Sequence, residues 1–175
     1  MTFRPNWDSL SEPRLSGCFV RVREILEKLD VPWTVAGALA AGRYRGDARD
    51  TTDVDVLVDW HPLLVDELTA DDFDLRVARD EDDQPHLIRA GCDYGTVDLI
   101  VAGTDYQRLA IERAVDHVLT VEDVLIHKLI AWRPRDRDDI ASILSTGREF
   151  DRDYVEHWAE EWDVTDRWRE ATSAA

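Results

Sequence analysis

The sequence predicts an α+β fold, a mixed β-sheet flanked by helices with a helical C-terminal region. Three observations predict it. Apolar residues at three-and-four spacing open the chain, short apolar runs bounded by Asp, Gly or Pro fill its middle, and from Tyr106 onward the pattern is largely helical. With 175 residues, of which 44% are hydrophobic, the chain fits a single domain over residues 1–175 with a core of its own. Within it, residues 14–105 form the sheet-bearing core and residues 106–175 the helical part.

Leu15, Phe19, Val22, Ile25, Leu26 and Leu29 mark an amphipathic helix that ends before Val31-Pro32. Trp33-Thr34-Val35-Ala36 reads as a short buried strand, turning at Gly37 into a small-residue helix over residues 38–41. A polar stretch over residues 43–52 leads into a strand at 54–58, and residues 61–70 read as helical. Residues 73–77, 87–90 and 96–101 are further strands of the same sheet. A helical pattern starts at Tyr106, and three more helical segments follow at 121–132, 138–144 and 151 to about 168, with Thr120 and Asp151 as N-caps. In the last of these, Val155, Trp158 and Trp162 form a packing stripe.

The chain carries a formal charge of −17, and its bases are nearly all Arg, Lys occurring only at 28 and 128. An Asp-rich, Lys-poor surface resembles that of proteins from high-salt cytoplasm, although a GC-rich genome favours Arg over Lys as well. Such acidity disfavours electrostatic capture of nucleic acid in ordinary buffer, since backbone affinity comes from Lys and Arg releasing counterions. In molar salt, with a Debye length of about 3 Å, the objection weakens. No apolar run approaches the roughly 18 residues of a membrane span, and the first residues lack the pattern of a secretory signal. A cytoplasmic protein without membrane contact is expected. Cys18 and Cys92 have no metal-site spacing and suggest neither zinc nor a disulfide framework.

Asp53-Val54-Asp55 places two carboxylates on one face of a strand, about 6.6 Å apart, because strand side chains alternate. Val54, Val56 and Val58 take the other face. The dipeptide spacing alone says little in a chain with 26 Asp, and it recurs at Asp72/Asp74, Asp80/Asp82, Asp136/Asp138 and Asp151/Asp153. Only the pair at 53 and 55 sits in an alternating valine strand. Two carboxylates so close need a cation between them, and a pair of magnesium ions roughly 3.5–4 Å apart would satisfy both. A second acidic strand, Gly95-Thr96-Val97-Asp98-Leu99-Ile100-Val101, adds Asp98 if it neighbours the first, completing a set of hard oxygen ligands.

Val35-Ala36-Gly37-Ala38, then Arg49-Asp50-Thr51-Thr52-Asp53-Val54-Asp55-Val56, then Val97-Asp98-Leu99-Ile100 resemble the signature of the DNA-polymerase-β-like nucleotidyltransferase superfamily. The Arg-x-Thr-x-Asp-x-Asp form, with His127-Lys128-Leu129-Ile130-Ala131 and Arg133-Pro134-Arg135-Asp136-Arg137-Asp138-Asp139 downstream, is similar to the branch of abortive-infection-type (AbiEii-like) nucleotidyltransferase toxins and their relatives. The resemblance spans about residues 33–145.

It implies a nucleotidyltransferase-like fold and transfer of a nucleoside monophosphate from an NTP to an acceptor hydroxyl on RNA, protein or a small molecule. A place in a toxin–antitoxin or phage-defence pair, with a cognate antitoxin as partner, goes with it. The alternative is an inactive member that keeps the fold as a binding or regulatory protein. By position, Asp53, Asp55 and Asp98 would hold two Mg2+ ions, with Asp98 also helping to deprotonate the acceptor. Gly37 and Ala38 would admit the triphosphate to backbone amides, although the family usually has Gly or Ser where Ala38 stands. Lys128 would bind phosphate as a point charge. Arg49 and Thr51 would position the loop ahead of the acidic pair. Asp136 and Asp139 would orient Lys128, take a proton from the acceptor, or cap a helix.

Overall fold

A computed structural model describes residues 13–46, 51, 53–93 and 95–173; Arg49 lies outside them. Among the described residues five strands and eight helices alternate in the order expected of an α+β chain. The first helix, α1 (Pro13–Lys28), buries Cys18, Phe19, Val22, Ile25 and Leu26 on one stripe. It stops where Asp30 takes a left-handed conformation (φ 53°) and the Val31 amide donates back to the Leu26 carbonyl at 2.9 Å. A short strand, β1 (Trp33–Val35), and a six-residue helix, α2 (Gly37–Gly42), come next.

The strand β2 (Asp53–Val58) alternates as its sequence dictates. Val54, Val56 and Val58 are fully buried beneath α1, each burial contributing roughly 1.5–3 kcal/mol, while Asp53, Asp55 and Leu57 take the opposite face. The helix α3 (Leu64–Ala70) starts later than residues 61–70 suggest, because His61, Pro62 and Leu63 form a turn ahead of it. Then β3 (Asp74–Arg79), β4 (Pro85–Cys92) and β5 (Gly95–Val101) complete the sheet.

Strand order is β1-β2-β5-β4-β3, with β2 and β5 parallel and every other pair antiparallel. The parallel pairing aligns Asp55 with Asp98 and Asp53 with Thr96; the antiparallel pairings align Asp98 with Arg89 and Arg89 with Arg76. Residues in register share a face, so a row Asp55, Asp98, Arg89, Arg76 crosses four strands. On the other face Val54, Val56, Ile88, Ala90, Val97 and Leu99 pack with α1 and α3 as one core.

The second core lies on the carboxylate side of the sheet and is built by α2 and the C-terminal helices. These are α4 (Asp105–Arg113), α5 (Val121–Ala131), α6 (Pro134–Ser145), α7 (Arg152–Glu161) and α8 (Thr165–Ser173). The side chains of Thr120 and Asp151 accept from the amides of Asp123 and Tyr154, capping α5 and α7 as their residue types predict. Val155, Trp158 and Trp162 pack into this core, with the Trp158 and Tyr106 ring centroids 4.6 Å apart.

Two expectations fail here. The segment read as starting at residue 138 begins at Pro134, because Pro at the first helical position supplies the required φ and the Asp136 carboxylate accepts from the Arg133 amide at 3.0 Å. The single helix read from 151 to about 168 is two, broken where Asp163 turns left-handed (φ 53°) and the Val164 amide reaches the Ala159 carbonyl at 2.8 Å. None of the described helices is long and apolar enough to cross a membrane.

Candidate active site

The two carboxylates of β2 and the one of β5 project from the same sheet face into a cleft of about 930 Å³. Ala38, Thr51, Asp53, Asp55, Asp98 and Lys128 line it together with Arg89, Arg133, Pro134, Arg135 and Asp136. A cavity of about 490 Å³ shares Asp55, Arg89, Asp98 and Lys128 and adds Gly37, His86 and His127, with an apolar wall of Leu87, Ile100, Leu119, Val124 and Ala131. Cleft and cavity are each of the size and mixed lining that bind small molecules.

Asp55 is the least satisfied of the acids. Among the described residues no donor bonds its carboxylate. Burial pushes its pKa above the usual carboxylate range, and the charges of Asp53 and Asp98 add to the push, while Lys128 and Arg133 oppose it. Asp53 accepts a hydrogen bond from the Thr51 hydroxyl at 2.9 Å. Thus Thr51 steadies the first carboxylate itself. Asp98, 6% exposed, is held differently: the Arg89 guanidinium donates to its two oxygens at 2.7 and 2.6 Å.

Gly37 has φ 58°, and a Cβ built on it would stand 1.8 Å from Oδ2 of Asp55. The residue must be glycine for two reasons at once: its backbone is left-handed, and the Asp55 carboxylate fills the place of a side chain. The Ala36 amide also donates to the Asp55 carbonyl at 2.8 Å, locking the β1–α2 turn against β2.

Lys128 reaches the cleft wall from α5, but its ammonium is already engaged. It lies 3.0 Å from Oδ1 of Asp136 and 2.8 Å from Oδ2 of Asp139, both fully buried on α6. Asp139 is also paired with Arg45. Burial opposes ionisation of Asp136, yet hydrogen bonds from Arg133 (2.7 Å) and Lys128 outweigh it and hold this carboxyl below its usual range. Lys128 is therefore oriented by Asp136 and Asp139, one of the roles expected of those acids.

A divalent cation fits this donor set in part. Asp53 and Asp55 offer hard oxygens, and the mutual repulsion around Asp55 is what a cation relieves. Against that, Asp98 is committed to Arg89, and among the described residues no group of three or more His, Cys, Asp or Glu is arranged as a metal site.

Arg89 carries no motif and escapes a reading of the sequence. Its one signal is a charged residue inside the apolar run Leu87-Ile88-Arg89-Ala90. Arg133 meets Asp136 locally, three residues along the chain, whereas Arg45 reaches Asp139 only through the packing of α6.

No family model and no curated protein matches the sequence. Solved structures do match the fold. A candidate nucleotidyltransferase from H. pylori aligns over 88% of this chain and 77% of its own, with a TM-score of 0.56 at 16% identity. The antibiotic-resistance factor ANT(2'')-Ia aligns over 90% of this chain and 92% of its own, with a TM-score of 0.54 at 11% identity. The chain has the nucleotidyltransferase fold.

Proposed function

We propose that this protein is a magnesium-dependent nucleotidyltransferase that moves a nucleoside monophosphate from an NTP to an acceptor hydroxyl and releases pyrophosphate. One observation carries the reading. Asp55 and Asp98 are register partners on parallel strands, Asp53 lies two residues before Asp55, and all three line one cleft with Arg89, Lys128, Arg133 and Arg135. Acids that would hold a cation and bases that would hold phosphates thus share one opening.

The acceptor oxygen bonds to the α-phosphorus as the bond from that phosphorus to the bridging oxygen breaks, and pyrophosphate leaves. Asp98 is the carboxylate assigned to take the hydroxyl proton. Arg133 and Arg135, at the exposed start of α6, would grip the leaving phosphates, and Lys128, fixed by Asp136 and Asp139, would supply a positive charge at a set place. Asp53 and Asp55, joined by Asp98, are the residues that would hold magnesium. When bound, magnesium supplies neutralisation of triphosphate charge and alignment for displacement. Catalysis is then chiefly positioning and electrostatic stabilisation.

RNA, a protein hydroxyl and a small molecule remain the acceptor classes. The role in a toxin–antitoxin or phage-defence pair, with a cognate antitoxin, rests on the Arg-x-Thr-x-Asp-x-Asp resemblance. A second reading, an inactive nucleotidyltransferase-fold binding protein, draws on the closed Arg89–Asp98 pair. Incubation with each NTP labelled at the α-phosphate, magnesium and cell extract separates the two. Transfer of label that disappears in Asp53→Ala/Asp55→Ala is the expected result. Label that persists in the double variant overturns the mechanism, and no transfer from any NTP supports the inactive reading.

A further inference from the structure

We propose that Arg89 is an internal counter-cation for Asp98, which keeps the third carboxylate out of the cation site until the phosphates of a nucleotide draw the guanidinium away. The inference rests on the nucleotidyltransferase reading and adds a coupling between its two ligands.

The pair is built into the sheet. Arg89 and Asp98 are direct cross-strand partners on β4 and β5, and both guanidinium bonds are short. The Asp98 side chain is 9% exposed, whereas that of Arg89 is 50% exposed at the edge of the cleft. The carboxylate is thus fixed in the wall while its partner can swing out. Arg76 flanks Arg89 in register on β3, so two guanidinium groups share one exposed strip. The strip repels an arriving cation and attracts an arriving phosphate.

The same pairing explains why three acids that line one cleft are not arranged as a metal site. A guanidinium at 2.6 Å holds positive charge where an ion on Asp98 would need to be. Exchange costs little when a phosphate takes over Arg89, because the guanidinium fork suits phosphate as well as carboxylate. Cation and nucleotide then bind with positive and reciprocal coupling.

Manganese binding, followed by electron paramagnetic resonance with and without non-hydrolysable ATP and GTP analogues, tests this without turnover. Wild type is expected to bind the ion weakly alone and about tenfold more tightly with an analogue. Arg89→Gln is expected to bind the ion alone about tenfold more tightly than wild type and to gain little from the analogue. Arg76→Gln removes the neighbouring exposed charge on β3, which has no part in the proposed machinery and lies one strand further from Asp98 than Arg89 does, and is expected to stay within about twofold of wild type, which separates a specific contact from general charge. Equal or weaker binding by Arg89→Gln, or an equal gain from Arg76→Gln, overturns the inference. If Arg89→Gln fails to fold, Arg89→Lys decides: a lysine lacks the fork, so tighter ion binding than wild type is expected and unchanged binding refutes. Asp53→Asn/Asp55→Asn tests the underlying reading separately. If that variant binds manganese as wild type does, the nucleotidyltransferase site is wrong, whatever Arg89 does.

Discussion

Asp123 and Asp55 are both carboxylates within the fold, and the chain treats them in opposite ways. Asp123, fully buried at the start of α5, receives the hydroxyls of Tyr106 (3.2 Å), Tyr154 (2.9 Å) and Thr120 (2.8 Å) and the Arg113 guanidinium (3.2 Å). Those four donors match the roughly four lone-pair positions of a carboxylate and tie α4, α5 and α7 together. Asp55 receives no side-chain donor among the described residues, sits between Asp53 and Asp98, and fills the space that a side chain at position 37 would take. A buried acid that serves structure is satisfied by the chain itself. A half-buried one that meets no side-chain donor, in a cleft, beside other acids, is the kind we propose to be held for something from outside.

The largest expected effect falls on the structural acid. Asp123→Ala strands three hydroxyls and a guanidinium and should lower stability by about 3–5 kcal/mol, read as a fall in the midpoint of chemical unfolding. A loss under 1 kcal/mol would erase the contrast. On the other side, Asp53→Asn/Asp55→Asn should reduce label transfer by roughly 1000-fold, equivalent to about 4 kcal/mol, with the fold intact by circular dichroism.

His127 sharpens the structural half. Burial lowers its pKa from the ordinary 6.5 to about 4, opposed by the charge of Asp123 and aided by Lys128. A group with a depressed folded pKa is neutral in the folded state, whereas the unfolded chain takes up the proton at 6.5. Its contribution, about 3 kcal/mol, is present above pH 6.5 and lost as pH falls toward 4. His127→Gln should flatten that part of the stability profile, and an unchanged slope would show that other groups set it.

Gly37→Ala tests the functional half more mildly. It forces a left-handed backbone on a residue with a Cβ and pushes the Asp55 carboxylate aside, for about 1–3 kcal/mol of stability. Loss of transfer out of proportion to that cost would mark Asp55 placement as the sensitive quantity; loss in proportion would make Gly37 a turn residue only.

Much of this was legible in the sequence because strands alternate. The valines at 54, 56 and 58 alone put Asp53 and Asp55 on one face, and the flanking Val97 and Leu99 do the same for Asp98. Whether β5 lies beside β2 is a question of long-range register, which periodicity leaves open, so Arg89 was invisible as a partner of Asp98. Lys128 was visible as a rare lysine in an apolar helix, but its capture by Asp136 and Asp139 depends on how α6 folds back on α5. The α7–α8 break was hidden because Asp163 turns left-handed within an otherwise helical apolar pattern.

Thermal unfolding of Asp55→Asn against wild type, with and without magnesium and an unreactive NTP analogue, bears most directly on the claim that Asp55 is reserved for an external ligand. In neutral buffer without ligands the variant should be at least as stable as wild type, since it removes a charge that the fold does not satisfy. With ligands, wild type should gain several degrees and the variant little. A variant that is markedly less stable without ligands, and that gains as much as wild type with them, would contradict it.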